Sequence, residues 1–285
     1  MHVSGARREF RPMEASVENQ GKGGAEKSGS VLPSLTNSEG NLKFTLFKVL
    51  NALKHFYSFK ELEERLGVSA QILWRYVSLR SVPERVTAER LLQKIEDEKL
   101  IDEAFERAIK DSEEPWQVLS SPGVMELAEL KVLSTLKGDR VNVVITGPDG
   151  YSVAFGAILA DALHARLCVA SRSPHSRHLI VKSYKVSQDY YDTLIFPREC
   201  IQRRGRALLV SVDGDKASQI SALIDVANMR QVSIAGVLAI FGSEPKIRDL
   251  VKSKTGSDVK VLVLAKYCEG QEDLCPEVKK SRQES

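Results

Sequence analysis

The chain has 285 residues, enough for two domains that each bury a core. With 42% hydrophobic and 28% charged residues its make-up is that of a globular protein. Its longest apolar run, Val232 to Gly242, is about half of the roughly 20 residues a membrane helix needs. Forty-one Lys and Arg against 38 Asp and Glu give a net charge of +3, too little for binding that rests on bulk charge alone. The amino terminus has basic residues but no apolar core, so no secretory signal is expected. The expectation is a cytoplasmic protein with no membrane partner.

Residues 1–41, with GKGGAEKSGS and SLTNSEGN, show little apolar periodicity and are expected to form a flexible arm. Arg7, Arg8 and Arg11 give it charge that could touch a polyanion; a non-functional extension fits equally well. From Leu42 the pattern turns helical, with Phe44, Leu46, Phe47, Leu50 and Leu53 as an apolar side.

Residues 58–80, SFKELEERLGVSAQILWRYVSLR, read as a helix-turn-helix. Ser58 and Glu61 have the spacing of a capping box, and Leu62 and Leu66 make one apolar stripe. Gly67 stands where the turn needs a positive φ. Ser69 is a good N-cap for a second helix, whose expected buried side is Ile72, Leu73, Tyr76 and Val77. Gln71, Trp74, Arg75 and Ser78 are left facing outward, with Arg80 just beyond and Arg85 adding to a local basic cluster. That set, with Ser69, suits base edges and phosphates in a major groove of double-stranded DNA. An ordinary αα-hairpin is the other reading of the same pattern. Glu63 is out of place for the motif, which usually has a small residue there; it must swing outward, or the helices must cross more widely.

Another helix is expected over Thr87–Lys99, with Leu91, Leu92 and Ile95 inside, and a charged one over residues 100–110. Pro115 and Pro122 bracket a connector, so residues 42–112 are expected to form a helix-turn-helix domain and residues 113–268 a second domain, with a flexible tail at 269–285.

In the second part, helix Gly123–Leu136 is followed by strand Val141–Thr146, helix Ser152–Leu163 and strand Arg166–Ala170. Leu179–Ser187 and Thr193–Phe196 fit short antiparallel strands. Strand Ala207–Val212, helix Ile220–Met229, strand Ser233–Phe241, helix Pro245–Ser253 and strand Val259–Ala265 complete the order. Such alternation predicts a mainly parallel, doubly wound sheet, whose ligands bind beyond the carboxyl ends of the strands. The loops after Thr146, Ala170 and Val212 then share one rim.

Two rim loops have the chemistry of a phosphate site. In TGPDGY (Thr146, Gly147, Asp149, Gly150, Tyr151) a strand leads into a helix start, where free N–H groups and the helix dipole favour an anion. DGDKASQ offers Lys216 and Ser218 to phosphate oxygens, and Asp213 and Asp215 to ribose hydroxyls. Arg172, His175, Arg177 and His178 add positive charge between them. Each loop alone reads equally well as the polar connection of any α/β domain. No Gly-x-Ser-x-Gly elbow, His-Glu-x-x-His or Walker loop is present, so no catalytic constellation can be named. The four cysteines and five histidines lack metal-ligand spacing, and neither metal nor cofactor is expected. Cys168 reads as a core residue; a Cys268–Cys275 disulfide is conceivable, though unusual inside a cell.

The run SFKELEERLGVSAQILWRYVSLRSVPERVTAERLL followed by VVITGPDGYSVAFGAILADAL resembles archaeal transcription regulators that fuse a helix-turn-helix to a type I phosphoribosyltransferase-like domain. The likeness spans about residues 44–242, in the order and spacing of elements more than in identities. It implies an α plus α/β architecture, a homodimer on double-stranded DNA, and a phosphorylated nucleotide-type effector at the rim. The phosphoribosyl-pyrophosphate loop departs from the family. Ser211 and Val212 stand where two acidic residues belong, and Asp215 to Gln219 replace a Thr- and Gly-rich cradle. A non-catalytic regulator is therefore expected; the alternative is an active phosphoribosyltransferase with an added helical domain.

Overall fold

The structure, a computed structural model, describes residues 39–110, 112, 115–136, 138–171, 176–214 and 217–266. The expectations for residues 1–38 of the arm, for the tail and for a Cys268–Cys275 bridge fall outside them, as do Arg172, His175, Asp215 and Lys216; residues 39–41, expected in the arm, are instead the start of the first helix.

Seven helices come first: α1 (Glu39–Leu53), α2 (Phe59–Leu66), α3 (Ala70–Val77), α4 (Arg85–Asp97), α5 (Leu100–Lys110), α6 (Pro115–Ser120) and α7 (Pro122–Thr135). The stretch between Pro115 and Pro122, expected to be a connector, is mostly the short α6. Helix α1 buries Leu42, Leu46, Val49, Leu50 and Leu53. Phe44, expected inside, is 55% exposed and stacks on Phe47 instead. At 100° per residue it falls off the stripe set by the other five. Helices α1 and α7 lie antiparallel: Gly123 of α7 meets His55 and Phe56 just past the end of α1, while Lys48 pairs with Glu129 at 2.6 Å.

The α/β part continues with β1 (Val143–Thr146), α8 (Gly150–Ala162), β2 (Arg166–Val169), β3 (Leu179–Lys185), β4 (Tyr191–Pro197), β5 (Arg206–Asp213), α9 (Ala217–Met229), β6 (Ser233–Gly242), α10 (Glu244–Thr255) and β7 (Lys260–Lys266). Five strands form a parallel sheet in the order β2-β1-β5-β6-β7; β3 and β4 form a separate antiparallel hairpin. A helical N-terminal region thus leads into a mainly parallel α/β sheet, as the alternating pattern predicts.

Both faces of the sheet are covered, which is why β1 is buried at every position. On one face Val144, Leu208, Val210, Leu238 and Ile240 join Phe155 and Leu159 of α8 and Leu127 of α7. The same cluster continues through Leu46, Leu62, Leu73, Leu91 and Phe105, so one core runs without a break from the helices into the sheet. On the other face Ile145, Leu209 and Val237 pack with Ile220, Leu223 and Ile247 and with Ile180 and Phe196 of the hairpin. The hairpin is fixed over α9 by Lys182 and Asp225, 2.6 Å apart.

Cys168 is fully buried, as expected, but it is bonded to Cys200, with Cα atoms 5.6 Å apart. The two lie 32 residues apart and meet only because β4 leads into a 3₁₀ turn, Arg198–Cys200, beside β2.

Candidate functional site

Helices α2 and α3 and the turn between them lie where the pattern places them. The Ser58 hydroxyl accepts the Glu61 N–H at 3.2 Å, and the Glu61 carboxylate accepts the Ser58 N–H at 2.7 Å. Gly67 ends α2 at φ 68°. Ser69 precedes α3, yet its side chain makes no cap hydrogen bond. Glu63 swings round the turn and accepts the Ala70 N–H at 3.1 Å, so the residue that looked misplaced closes the start of the second helix.

Behind the motif, Arg65 of α2 bonds Glu98 (2.7 Å) and Glu103 (3.0 Å). Arg107 of α5 bonds Glu61 (2.9 Å) and Glu103 (3.0 Å) and stacks over Tyr57 at 4.1 Å. The Ser58 N–H, then Arg107, pull the Glu61 carboxyl down to about 2. Burial pushes Glu103 up, but hydrogen bonds from Arg65 and Arg107 outweigh it and hold the group below its ordinary value.

Helix α3 is anchored chiefly by Leu73, fully buried, with Tyr76 and Val77 partly covered. Ile72, expected inside, is 41% exposed. An eight-residue helix lying on a small bundle has room for only a narrow buried stripe. Ser69, Gln71, Trp74, Arg75, Ser78 and Arg80 are all exposed on the outer side. The Arg80 guanidinium lies 4.6 Å from the Trp74 ring, which fixes both side chains above the last turn. Among the described residues neither Arg75 nor Arg80 has a carboxylate partner, in contrast to Arg65 and Arg107.

A second feature lies at the other part of the molecule. The sheet reverses strand order between β1 and β5, and a cleft of about 740 Å³ opens at their carboxyl ends. A switch point is where an open α/β sheet leaves room for a ligand. Asp149, Asp213 and Ser218, three of the expected residues, line this cleft. Thr146 does not: it is fully buried, its hydroxyl turned to the Gly147 carbonyl at 3.1 Å. Gly147 is buried beneath Gln219, Gly150 opens the first turn of α8, and Tyr151 packs on the sheet core. Arg177 is exposed and lies outside the lining. Asp149 is the N-cap of α8, accepting the Ser152 N–H at 2.8 Å.

The remaining wall comes from residues that sequence patterns do not single out: Ser171, Tyr184, Tyr190, Asp192 and Gln219. Tyr184 and Asp192 face one another across the hairpin register. The Tyr184 hydroxyl donates to Asp192 (3.2 Å) and accepts from the Gln219 amide (3.3 Å), whose oxygen lies 2.9 Å from the Ser211 hydroxyl. Burial, and then the charges of Asp192 and Asp149, push the Tyr184 phenol up, against the Gln219 hydrogen bond. Ser211 is 1% exposed and turned inward by this chain. Among the described residues the cleft carries three carboxylates and no basic side chain.

No family model matches the chain, and no curated protein matches it. Among solved structures, adenine phosphoribosyltransferase from Rhodothermus marinus is similar at 16% identity over 53% of this chain and 84% of its own, with a TM-score of 0.43. The Giardia lamblia enzyme complexed with 9-deazaadenine gives 14%, 54%, 85% and 0.46. The Trypanosoma brucei enzyme, in complex with AMP, pyrophosphate and ribose-5-phosphate, gives 12%, 64%, 92% and 0.47. None of these likenesses bears on what this chain binds or does. Among the described residues no group of three or more His, Cys, Asp or Glu is placed to hold a metal ion, and no helix is long and apolar enough to cross a membrane.

Proposed function

We propose that the chain is a sequence-specific DNA-binding transcription regulator, with α3 as its reading helix and the switch-point cleft as the seat of a small-molecule effector that it does not transform. The observation that carries this is the outer face of α3: Gln71, Trp74 and Arg75, with Ser78 and Arg80 just past its end, are exposed together, while Leu73 holds the inner side. Gln71 suits an adenine edge and Arg75 a guanine edge, while Arg80, braced on Trp74, suits a phosphate. A homodimer would set two such helices about one DNA turn apart, roughly 34 Å. An effector bound at the cleft acts by preferring one relative placement of those helices, to the extent of its differential affinity for the two.

The test is a gel-shift titration of duplex DNA with the wild-type chain and with Arg75→Ala. The substitution is expected to weaken binding by about 1–3 kcal/mol if Arg75 reads a base. Unchanged affinity removes the role.

The cleft at the strand reversal also favours a second reading, a phosphoribosyltransferase. The inward-turned Ser211 counts against it, because β5 then presents only Asp213 to ribose hydroxyls. Incubation with phosphoribosyl pyrophosphate and nucleobases is expected to release no pyrophosphate; turnover would establish the enzyme.

A further inference from the structure

At the amino ends of the strands, opposite the switch-point cleft, arginines gather without matching carboxylates. A smaller cleft of about 190 Å³ is lined there by Asn142, Arg166, Arg203 and Arg204, among others. Strand β5 alone sets the two clefts roughly 23 Å apart, seven steps of about 3.3 Å. Among the described residues none of Arg166, Arg203 and Arg204 has a carboxylate partner, and no carboxylate lines the cleft. The nearby Asp139 is taken by Arg206 (2.9 Å) and Lys260 (2.8 Å). Glu199 is close, but its carboxylate faces Ser176 at 3.1 Å and only its carbonyl meets Arg166, at 3.0 Å. Arg230, tied to the Ile201 carbonyl at 2.8 Å, is held below its ordinary value by burial and then by the charges of Arg198 and Arg203.

Arg166, Arg203 and Arg204 are exposed on one lining, and backbone donors fix the turn that carries them: the Arg204 N–H to the Gln231 carbonyl (3.2 Å) and the Arg206 N–H to the Asn142 side chain (2.9 Å). An anion between them would meet planar forks that match phosphate oxygens. The space, about 190 Å³, is large enough for a phosphoryl group.

We propose that the cleft formed by Arg166, Arg203 and Arg204 is a binding site for a phosphate oxyanion, either the end of a free polyphosphate or the backbone of a nucleic acid.

The experiment uses the full chain, titrated calorimetrically with pyrophosphate and, separately, with a duplex of random sequence. The duplex arm is run in an Arg75→Ala background, which keeps α3 out of the readout and separates this proposal from the one above. The variants are Arg203→Glu with Arg204→Glu, and the milder Arg203→Gln, each checked for an unchanged melting temperature. Charge reversal is expected to weaken the bound probe by about tenfold or more, with the single substitution intermediate. A loss for pyrophosphate identifies a free polyphosphate site, and a loss confined to the duplex identifies a backbone contact. Affinities that neither variant lowers, or a wild-type chain that binds neither probe, overturn the proposal.

Discussion

Glu63 and Ala70 join the two helices of the motif: the carboxylate from the last turn of α2 accepts the first N–H of α3 at 3.1 Å. Ser69, in the usual capping position, makes no such bond. Replacing Glu63 by alanine is therefore expected to cost about 1 kcal/mol, the usual worth of a helix cap, while Ser69→Ala stays within a few tenths. Urea midpoints of the two variants check this; equal losses would mean that Glu63 does not act as the cap.

Acid should loosen α2 from α5. The Glu61 carboxyl lies at about 2 in the folded chain against an ordinary 4.5. A folded value below the unfolded one adds stability above the unfolded value, and that stability is lost as pH falls through the window from about 4.5 to about 2. Glu103, Asp139 and Asp225 are also held below their ordinary values, so the wild-type chain should weaken steadily on acidification. In Glu61→Gln the fall in urea midpoint between about pH 5 and about pH 2 is expected to be shallower. An identical slope would remove Glu61 from the linkage. Because Glu61 is nearly half exposed, the effect per group is expected to be modest.

Helix α8 rests on β1 through a glycine. A Cβ built at Gly156 would overlap the Thr146 methyl and come within 3.3 Å of Leu167. Gly156→Ala should thus push α8 away from the strand end that borders the cleft, at a cost of about 1–3 kcal/mol typical of overpacking. Thermal melting measures it. A neutral or stabilising result would show that the helix can shift freely.

The polar chain Ser211–Gln219–Tyr184–Asp192 ties β5, α9 and the hairpin into one wall. Gln219→Leu leaves the Ser211 and Tyr184 hydroxyls without a shared partner in a mostly buried place, so about 1–3 kcal/mol of destabilisation is expected. Tyr184→Phe removes the hydroxyl between Gln219 and Asp192, but Asp192 keeps the Thr193 N–H and is only partly buried, so it should cost less. Urea denaturation of both variants ranks them, and the reverse order would contradict the network.

Local chemistry made much of this legible in the sequence. The Ser58–Glu61 box, the turn at Gly67 and the alternation of apolar runs with helices from Val143 to Lys266 depend on neighbours in the chain, and each is where its pattern places it. What was hidden depends on distant partners. Tyr184 and Asp192 become one wall only through the β3–β4 register, and the exposed positions of β3 include the apolar Leu179 and Val181, so the inward side does not stand out in the sequence. Cys168 and Cys200 meet across 32 residues, a separation that matches no local motif. Ile72 is exposed because period alone does not tell how wide a buried stripe is, which is set by the elements packed against the helix, whereas Phe44 lies opposite the α1 stripe, as the 100° spacing itself shows. At the rim, position in the chain gave the loops correctly, while Thr146 and Gly147 turned out to support the cleft from below.

The most direct test of the central claim is selection of bound sequences from a pool of random duplexes by the full-length chain. The account predicts enrichment of a defined motif, with two half-sites about one helical turn apart if the chain acts as a dimer. A pool that emerges no different from its input would contradict it.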